Sequence, residues 1–230
     1  MTIRLYDLVG RDDRRFSSNA WKTRLALAHK GLPTEAVPTP FTAIPRIGDG
    51  SYATVPVIED NGTWVGDSWV IAEYLEVSYP DAPSLFGGAT GREYARFVQR
   101  WAESRIHPFM MTLILADIQE RIAPEDDAYF RESRPKRFGR PAAEVQAGRE
   151  DRLPEYRIRL EPLRLVVQSQ PYLCGDAPTY ADYIVMGSII GARNMSAFAL
   201  FEEGDPVHAW VHRCLDLYDG LARRPTDFDW

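Results

Sequence analysis

Two short apolar runs, VPVIED and TWV, flank the dipeptide Asn61-Gly62 and are followed by an Asp-Ser pair that opens a helical pattern. Asn-Gly between apolar runs is one of the strongest local signals for a β-hairpin, because both turn positions need positive φ. The first run also places Pro56 between two valines, although proline lacks the N–H that a strand interior needs. The stretch therefore predicts a hairpin, a break in one strand, and a helix that begins where the hairpin ends.

The first eighty residues alternate between strand and helix patterns. Ile3 to Leu8 is rich in β-forming residues, and Thr34 to Pro38 reads as a second short strand. Between them, Ser17 or Ser18 can cap a helix through WKTRLALAHK, which Gly31 ends as a C-cap. Two strands joined through a helix predict a parallel βαβ unit. With the hairpin and its helix added, the order predicts a small mixed sheet with helices on its faces, the thioredoxin-like arrangement.

The rest of the chain is helical in character. The segment DAPSLFGGATG, rich in Gly and Pro, has the composition of a linker. We therefore predict a thioredoxin-like α/β domain at 1–80, a linker at 81–90, and an all-α domain at 91–230.

Capping residues mark two helix starts in the second half. Thr179 with Asp182 three residues later forms a capping-box pattern, and Asp205 followed by a proline predicts another N-terminus. A stripe at helical spacing is interpreted as core rather than as a site; it consists of Val207, Val211, Cys214 and Tyr218.

Composition narrows the class of function. The 230-residue chain carries a net charge of −6, so nucleic-acid binding would need a local basic patch. The best candidate, RESRPKRFGR within the insertion at 124–141, is interpreted as solvated surface, and its relation to any pocket is left open.

The N-terminus has no apolar signal core and no apolar run of about eighteen residues occurs, so a cytoplasmic protein without membrane contact is predicted. Cys174 and Cys214, far apart and without metal-binding spacing, are predicted to be small core groups.

The proline in the first strand of the hairpin predicts a binding feature. We predict a cis bond between Val55 and Pro56, which frees the main-chain N–H and C=O of Val55 to pair with an extended peptide. The helix that starts at Asp67 and Ser68 offers N–H groups and a hydroxyl to a carboxylate, while the Asp67 carboxylate suits an ammonium. Glutathione, a short peptide with both groups at its γ-glutamyl end, fits this pattern. An N-cap and an edge-strand proline are the alternative interpretations of the same residues.

Ser17 and Ser18 lie at the junction between the first strand's loop and the first helix. A hydroxyl there can donate to a ligand sulfur while the helix dipole favours the thiolate, which is the nucleophilic form of a thiol. An ordinary serine N-cap is the alternative. No G-x-S-x-G elbow accompanies these serines, so a serine hydrolase is disfavoured.

Together, SSNAWKTRLALAHKG, TVPVI, the Asp-Ser helix start and the all-helical second half resemble a cytosolic glutathione transferase. The phrases DSWVIAEYL, VQAGREDRLP, LEPLR and YADY are similar to the bacterial β-etherases and their fungal etherase-like relatives. The resemblance implies that the hydroxyl of Ser17, or of Ser18 in its place, stabilises the glutathione thiolate. The other implied glutathione contacts are Val55 and Pro56 at the cysteinyl backbone, and Asp67 and Ser68 at the γ-glutamyl end.

The resemblance also implies a second, hydrophobic and aromatic substrate between the two domains. Candidate residues for its wall are Trp101, His107, Phe109, Met110 and Met111. His107 is either an acid for a departing phenolate or a structural histidine. The implied protein is a homodimeric glutathione transferase, with β-aryl ether cleavage as a special case. A non-catalytic ligand-binding module and a glutathione-dependent isomerase or dehalogenase are the alternatives.

Overall fold

The computed structural model describes residues 2–224 and 227–230. One mixed sheet contains the strands β1 Ile3–Leu8, β2 Thr34–Thr39, β3 Val57–Asp60 and β4 Thr63–Gly66, in the order β2-β1-β3-β4. Strands β1 and β2 are parallel, whereas β3 is antiparallel to both of its neighbours. The predicted βαβ unit and hairpin are therefore confirmed, and Asn61 and Gly62 have the positive φ values, 51° and 84°, that the turn requires.

Two helices belong to this sheet, α1 Ser18–His29 and α2 Ser68–Ser78. The remaining helices are α3 Ala89–Trp101, α4 His107–Arg121, α5 Asp127–Phe138, α6 Ala142–Gln146, α7 Arg149–Arg159, α8 Glu161–Val167, α9 Tyr180–Met195, α10 Pro206–Leu215 and the four-residue α11 Leu217–Gly220. This confirms the predicted fold class, a thioredoxin-like α/β part followed by an all-α part. Among the described residues, no helix combines the length and the apolar character that crossing a membrane requires.

The sequence from Gly91 to Gln119 has the pattern of one long helix, but the structure divides this segment into two helices. Helix α3 ends at Trp101, and a π-helical turn, Ala102–Ile106, leads into α4. Pro108 lies in the first turn of α4. Because proline has no N–H, it cannot donate a backbone hydrogen bond to the preceding turn. The π-turn changes which side chains face the sheet domain, and the sequence pattern did not reveal this.

Strand register brings three distant segments to one edge of the sheet. Val57 pairs with Tyr6 of β1 on one side and with Gly66 of β4 on the other. The end of β1, the start of β3 and the end of β4 therefore lie at the same edge, so the loop before α1, the residues before β3 and the start of α2 are neighbours. Pro56 lies immediately before β3 rather than inside it, and the predicted cis bond between Val55 and Pro56 is present.

Helix α9 forms the centre of the helical part, and every one of its residues is buried. It begins with the predicted capping box of Thr179 and Asp182. The predicted core stripe on the last helices is buried at Val207, Val211 and Cys214, and partly buried at its last member. The prediction for the other cysteine is wrong, because Cys174 lies in an exposed turn.

Candidate active site

A cavity of about 360 Å³ lies between the sheet edge and the helical part. Its polar lining includes Ser17, Ser18, Asn19, His107 and Ser188. Its apolar wall comes from the loop before β3, from α4 and from α5, and includes Phe41, Ile44, Val55, Met110, Met111, Ile114, Tyr129 and Phe130. Small-molecule sites are commonly built this way, with few polar groups on a largely apolar surface.

Ser17 is the N-cap of α1, and its side chain is buried. Its Oγ accepts a hydrogen bond from the Ala20 N–H at 3.1 Å. This bond uses a lone pair and leaves the hydroxyl proton available for donation, because a serine hydroxyl is both donor and acceptor. The N-cap interpretation and the binding interpretation are therefore compatible, and the capping bond fixes the orientation of the side chain.

Ser18 is the first residue of α1 and is partly exposed to the cavity. Its hydroxyl has no hydrogen-bond partner within the described part of the chain. The N–H groups in the first turn of a helix have no intrahelical acceptor, and they carry the positive end of the helix dipole. The start of α1 thus presents two hydroxyls and a positive potential to the cavity.

Val55 also lines the cavity, and its side chain is buried. Because β3 begins only at Val57, the main-chain N–H and C=O of Val55 make no hydrogen bond to any other described residue. A main chain beside a sheet edge with both groups unused is suited to pair with an extended peptide.

Asp67 and Ser68 lie at the start of α2, outside the cavity wall. Asp67 has a positive φ of 70°, and its Oδ1 accepts from the N–H groups of Trp69 and Val70 at 2.8 and 3.1 Å. The expectation that this helix tip offers several N–H groups to a carboxylate is therefore wrong in part. The donors that remain are the N–H and the hydroxyl of Ser68, whose carbonyl accepts from the Tyr180 hydroxyl at 2.7 Å.

Lys22 is a buried cation on α1 that the sequence analysis did not single out. Burial lowers the pKa of Lys22, and the carboxylates of Glu103 and Asp67 partly oppose that change. The side chain therefore lies within electrostatic range of Asp67 at the start of α2 and of Glu103 in the π-turn. Within residues 2–224 and 227–230, no three His, Cys, Asp or Glu side chains come together as a metal site.

Only some of the residues predicted for the wall of a second-substrate site line the cavity. His107, Met110 and Met111 line the cavity, as expected for residues three and four positions apart on one helix face. Phe109 faces the opposite side of α4, where its ring stacks on Tyr156 at a centroid distance of 6.4 Å. Trp101 precedes the π-turn and packs against the core away from the cavity.

His107 lies in the cavity wall, and its Nδ1 is 3.2 Å from the Ser188 Oγ. Burial lowers the pKa of His107 to about 4, and the nearby charges of Lys22 and Arg137 contribute. The imidazole is therefore neutral at neutral pH. This favours the structural interpretation of His107 over a protonated acid that serves a departing phenolate.

The insertion contributes a wall that the sequence analysis did not predict. Helix α5 supplies Tyr129, Phe130, Arg134 and Arg137 to the cavity. The buried Asp126 just before α5 accepts from the N–H groups of Phe41 and Thr42 at 2.7 and 2.9 Å. These bonds hold the insertion against the loop that follows β2, so the segment covers the cavity instead of being only solvated surface.

Family models match most of the chain. The model described as "Glutathione S-transferase, N-terminal domain" matches residues 16–78, and "Glutathione S-transferase, C-terminal domain" matches residues 94–211. A maleylacetoacetate isomerase of Dictyostelium discoideum is 29% identical over 116 residues, which cover 45% of this chain and 51% of that protein. The chain spans about half the length of the curated relatives it matches first.

Solved structures resemble almost the entire chain. A glutathione S-transferase of Ceriporiopsis subvermispora, solved in complex with glutathione, has a TM-score of 0.79 and 24% identity, with 97% of this chain and 98% of that chain covered. Glutathione transferase GSTFuA3 of Phanerochaete chrysosporium has a TM-score of 0.77 and 27% identity, with 96% and 92% covered. At 24% identity, the similarity to the Ceriporiopsis subvermispora protein concerns the fold alone.

The pKa of His107 predicts a pH-dependent part of the free energy of unfolding. The unfolded chain protonates this imidazole near its ordinary pKa of 6.5 and the folded chain near 4, so unfolding takes up a proton between these values. Stability therefore falls as the pH drops from 6.5 towards 4. Between pH 7 and pH 5 we expect the wild type to lose about 2 kcal/mol more than His107→Gln, measured by urea denaturation. Equal losses in the two proteins would contradict the assignment.

Proposed function

The chain belongs to the glutathione S-transferase family, and we propose that it catalyses attack of the glutathione thiolate on a hydrophobic, aromatic electrophile. The observation that carries this proposal is the cavity itself. A pair of hydroxyls at a helix start and an unpaired main-chain segment at Val55 form one wall, and apolar side chains from α4 and α5 form the other. A peptide thiol and an aromatic molecule can therefore lie side by side. We place the reaction in the cytoplasm, where glutathione is kept reduced.

Glutathione would lie along the sheet edge. Its cysteinyl main chain would pair with the N–H and C=O of Val55, next to the cis Pro56. Its γ-glutamyl carboxylate would accept from the N–H and hydroxyl of Ser68, and its ammonium would face the Asp67 carboxylate. Strand register supports this path, because the start of β3 and the end of β4 adjoin at that edge.

We assign the thiolate-stabilising role to Ser17 and give Ser18 a secondary one. The Ser17 hydroxyl is oriented by its bond to Ala20 and keeps its proton for the sulfur. Donation to the charged form lowers the pKa of a thiol, and the start of α1 adds a favourable potential. The thiolate then forms a carbon–sulfur bond while the leaving group departs with its electron pair. Rate comes from the thiolate and from holding both reactants together.

Two finer versions of this activity are distinguished by their products. The aromatic wall of Phe41, Tyr129 and Phe130 suits a β-aryl ether, in which the leaving group is an aryloxide. The similarity to a maleylacetoacetate isomerase favours a glutathione-dependent isomerase, which returns its glutathione unchanged. A non-catalytic glutathione-binding module would consume neither class of substrate. Product analysis with a β-aryl ether, a generic aryl halide and a cis-enone acid separates the three.

We further propose that the protein is a homodimer. Val70 and Val77 on α2 and Phe97 on α3 leave large apolar side chains exposed. These two helices adjoin, because Arg92 of α3 forms an ion pair with Glu73 of α2. A second copy of the chain would cover this surface, and exposed apolar patches are typical of such interfaces.

Removal of the Ser17 hydroxyl should reduce the thiolate that bound glutathione carries at neutral pH. For Ser17→Ala we expect loss of the thiolate's ultraviolet absorbance and a fall of about 10²-fold in kcat/KM, as for loss of one donor to a developing anion. Ser17→Thr keeps both the hydroxyl and the cap, whose loss alone costs about 1 kcal/mol of stability. It should therefore retain most of the activity. If Ser18→Ala abolishes the absorbance and Ser17→Ala does not, the two roles are exchanged.

The dimer proposal is tested by sedimentation equilibrium. We expect a mass of twice the 26.2 kDa of the chain, and a dissociation constant that Phe97→Asp raises by about 10²-fold. Ile158→Asp is the matched control, since Ile158 has nearly the same exposure on α7, 70% against 69%. A monomeric wild type, or dissociation in the control alone, would contradict the proposal.

A further inference from the structure

Two arginines of the insertion helix face the cavity. Arg134 and Arg137 are three positions apart on α5, so they lie on the same helix face, and both line the cavity wall. Arg134 is partly buried, whereas Arg137 lies at the exposed rim. A mainly apolar cavity can bury an aromatic substrate without any guanidinium group. The presence of two in its wall therefore needs another explanation.

Neither guanidinium is neutralised by a carboxylate in the part of the chain that the structure describes. The other cations of α5 do not line the cavity and are paired: Arg131 Nε donates to Asp127 at 2.8 Å, and Lys136 Nζ donates to Glu132 at 2.7 Å. Among residues 2–224 and 227–230, no ion pair includes Arg134 or Arg137. The cations on this helix are thus divided into a paired outer set, which does not line the cavity, and an unpaired inner set, which does.

The surroundings of Arg134 leave bonding capacity unused. Its guanidinium lies over the rings of Phe130 and Phe41, at 4.4 and 5.2 Å from the ring centroids. Its Nε is buried without a hydrogen-bond acceptor in the described chain. Burial lowers the pKa of Arg134, and the repulsion from Arg137 acts in the same direction. Stacking satisfies the flat faces of this group but not its N–H edge. The two Nη groups, which make no hydrogen bond within the described chain, are the donors that an anion in the cavity could reach.

The position of the pair is fixed by the fold. Asp126 ties the residue before α5 to the Phe41 loop through three hydrogen bonds, one of them from the Thr42 hydroxyl at 3.0 Å. The start of α1 with Ser17 lines the same cavity. An anionic group at the two arginines would therefore lie in the same cavity as the sulfur, and the rest of the molecule would join the two.

From this arrangement we propose that the electrophile is anionic, an aromatic carboxylate whose carboxyl group binds Arg134 and Arg137. Its ring would lie against Phe41, Tyr129 and Phe130. Arginine forks match carboxylates in geometry, and charge-assisted bonds of this type are stronger than neutral ones. This assignment rests on the proposed transferase function and specifies its substrate class.

A matched pair of electrophiles tests the assignment. With 4-chloro-3-nitrobenzoate, the thiolate sulfur bonds to the ring carbon that carries chlorine, and chloride leaves with the bonding pair. The thiol proton passes to solvent, and the carboxylate is unchanged. The control, 4-chloro-3-nitrobenzamide, reacts by the same steps without the negative charge. Dividing each enzymatic rate by the uncatalysed rate with glutathione removes the difference in ring reactivity.

We expect the wild type to prefer the carboxylate by at least about tenfold in normalised kcat/KM, mainly through KM. Arg134→Gln/Arg137→Gln should lower this preference to about one. Arg131→Gln/Lys136→Gln removes two positive charges of the same helix that do not line the cavity and should keep the preference. Arg137→Gln alone, at the exposed rim, should lose part of the preference and provides the test if the inner double variant does not fold. A wild type without preference, or a preference that survives loss of the inner arginines, overturns the proposal.

Failure of the proposed function gives a different result. If neither electrophile is consumed, the transferase proposal fails for this reaction, and binding still decides the substrate class. Isothermal titration calorimetry with S-methylglutathione present should then show tighter binding of the carboxylate than of the amide. Equal affinities overturn the arginine assignment, and a preference that Arg134→Gln/Arg137→Gln abolishes supports it.

Discussion

The arrangement of the site depends on one close contact between the start of α1 and the middle of α9. At Gly187 an added Cβ would lie 2.3 Å from the Ser18 carbonyl oxygen, and at Gly191 it would lie 2.6 Å from the carbonyl oxygen of Phe16. Any side chain there would meet backbone that cannot move without displacing the serine loop, residues 14–17 immediately before α1. The same loop is held by the Arg15 carbonyl, which accepts from the Trp21 indole N–H at 2.7 Å and from the Asn194 side chain. Two glycines one helical turn apart thus let a helix of the second half form a wall of the cavity next to Ser17.

The second constraint is the register of the sheet. Because Val57 is shared between β1 and β4, the serine loop, the cis peptide and the start of α2 gather at one edge although they are far apart in the sequence. The insertion then covers the space above that edge. Its aromatic residues are apolar wall, and its two inner arginines give the cavity a positive end. The neutral His107 adds no further charge to the cavity wall. The cavity wall therefore offers two kinds of polar group, the hydroxyls at the start of α1 and the unpaired cations of α5.

Features with local causes could be predicted from the sequence. The hairpin follows from Asn61-Gly62, the start of α9 from Thr179 and Asp182, and the end of α1 from Gly31, which has a φ of 67°. Features set by packing could not. The spacing of Met110 and Met111 does not state which face of α4 meets the cavity, and the π-turn ahead of α4 altered the expected set by excluding Trp101. Charge density made RESRPKRFGR look like surface, because composition cannot separate its inner arginines from its outer ones. The GSIIG spacing at Gly187 and Gly191 was the one available signal of the close contact, and it has meaning only once α1 is known to be its partner.

The central claim is that this close contact positions the hydroxyl of Ser17 against the glutathione sulfur. It is tested most directly by titrating the thiol of bound glutathione in Gly191→Ala. Helix propensity alone favours alanine by about 1 kcal/mol, so a mere improvement of α9 would raise stability and leave the thiol untouched. The account predicts that displacement of the Phe16 carbonyl moves the serine loop, and that the pKa of the bound thiol rises towards that of free glutathione. A bound thiol in Gly191→Ala with the wild-type pKa would contradict it.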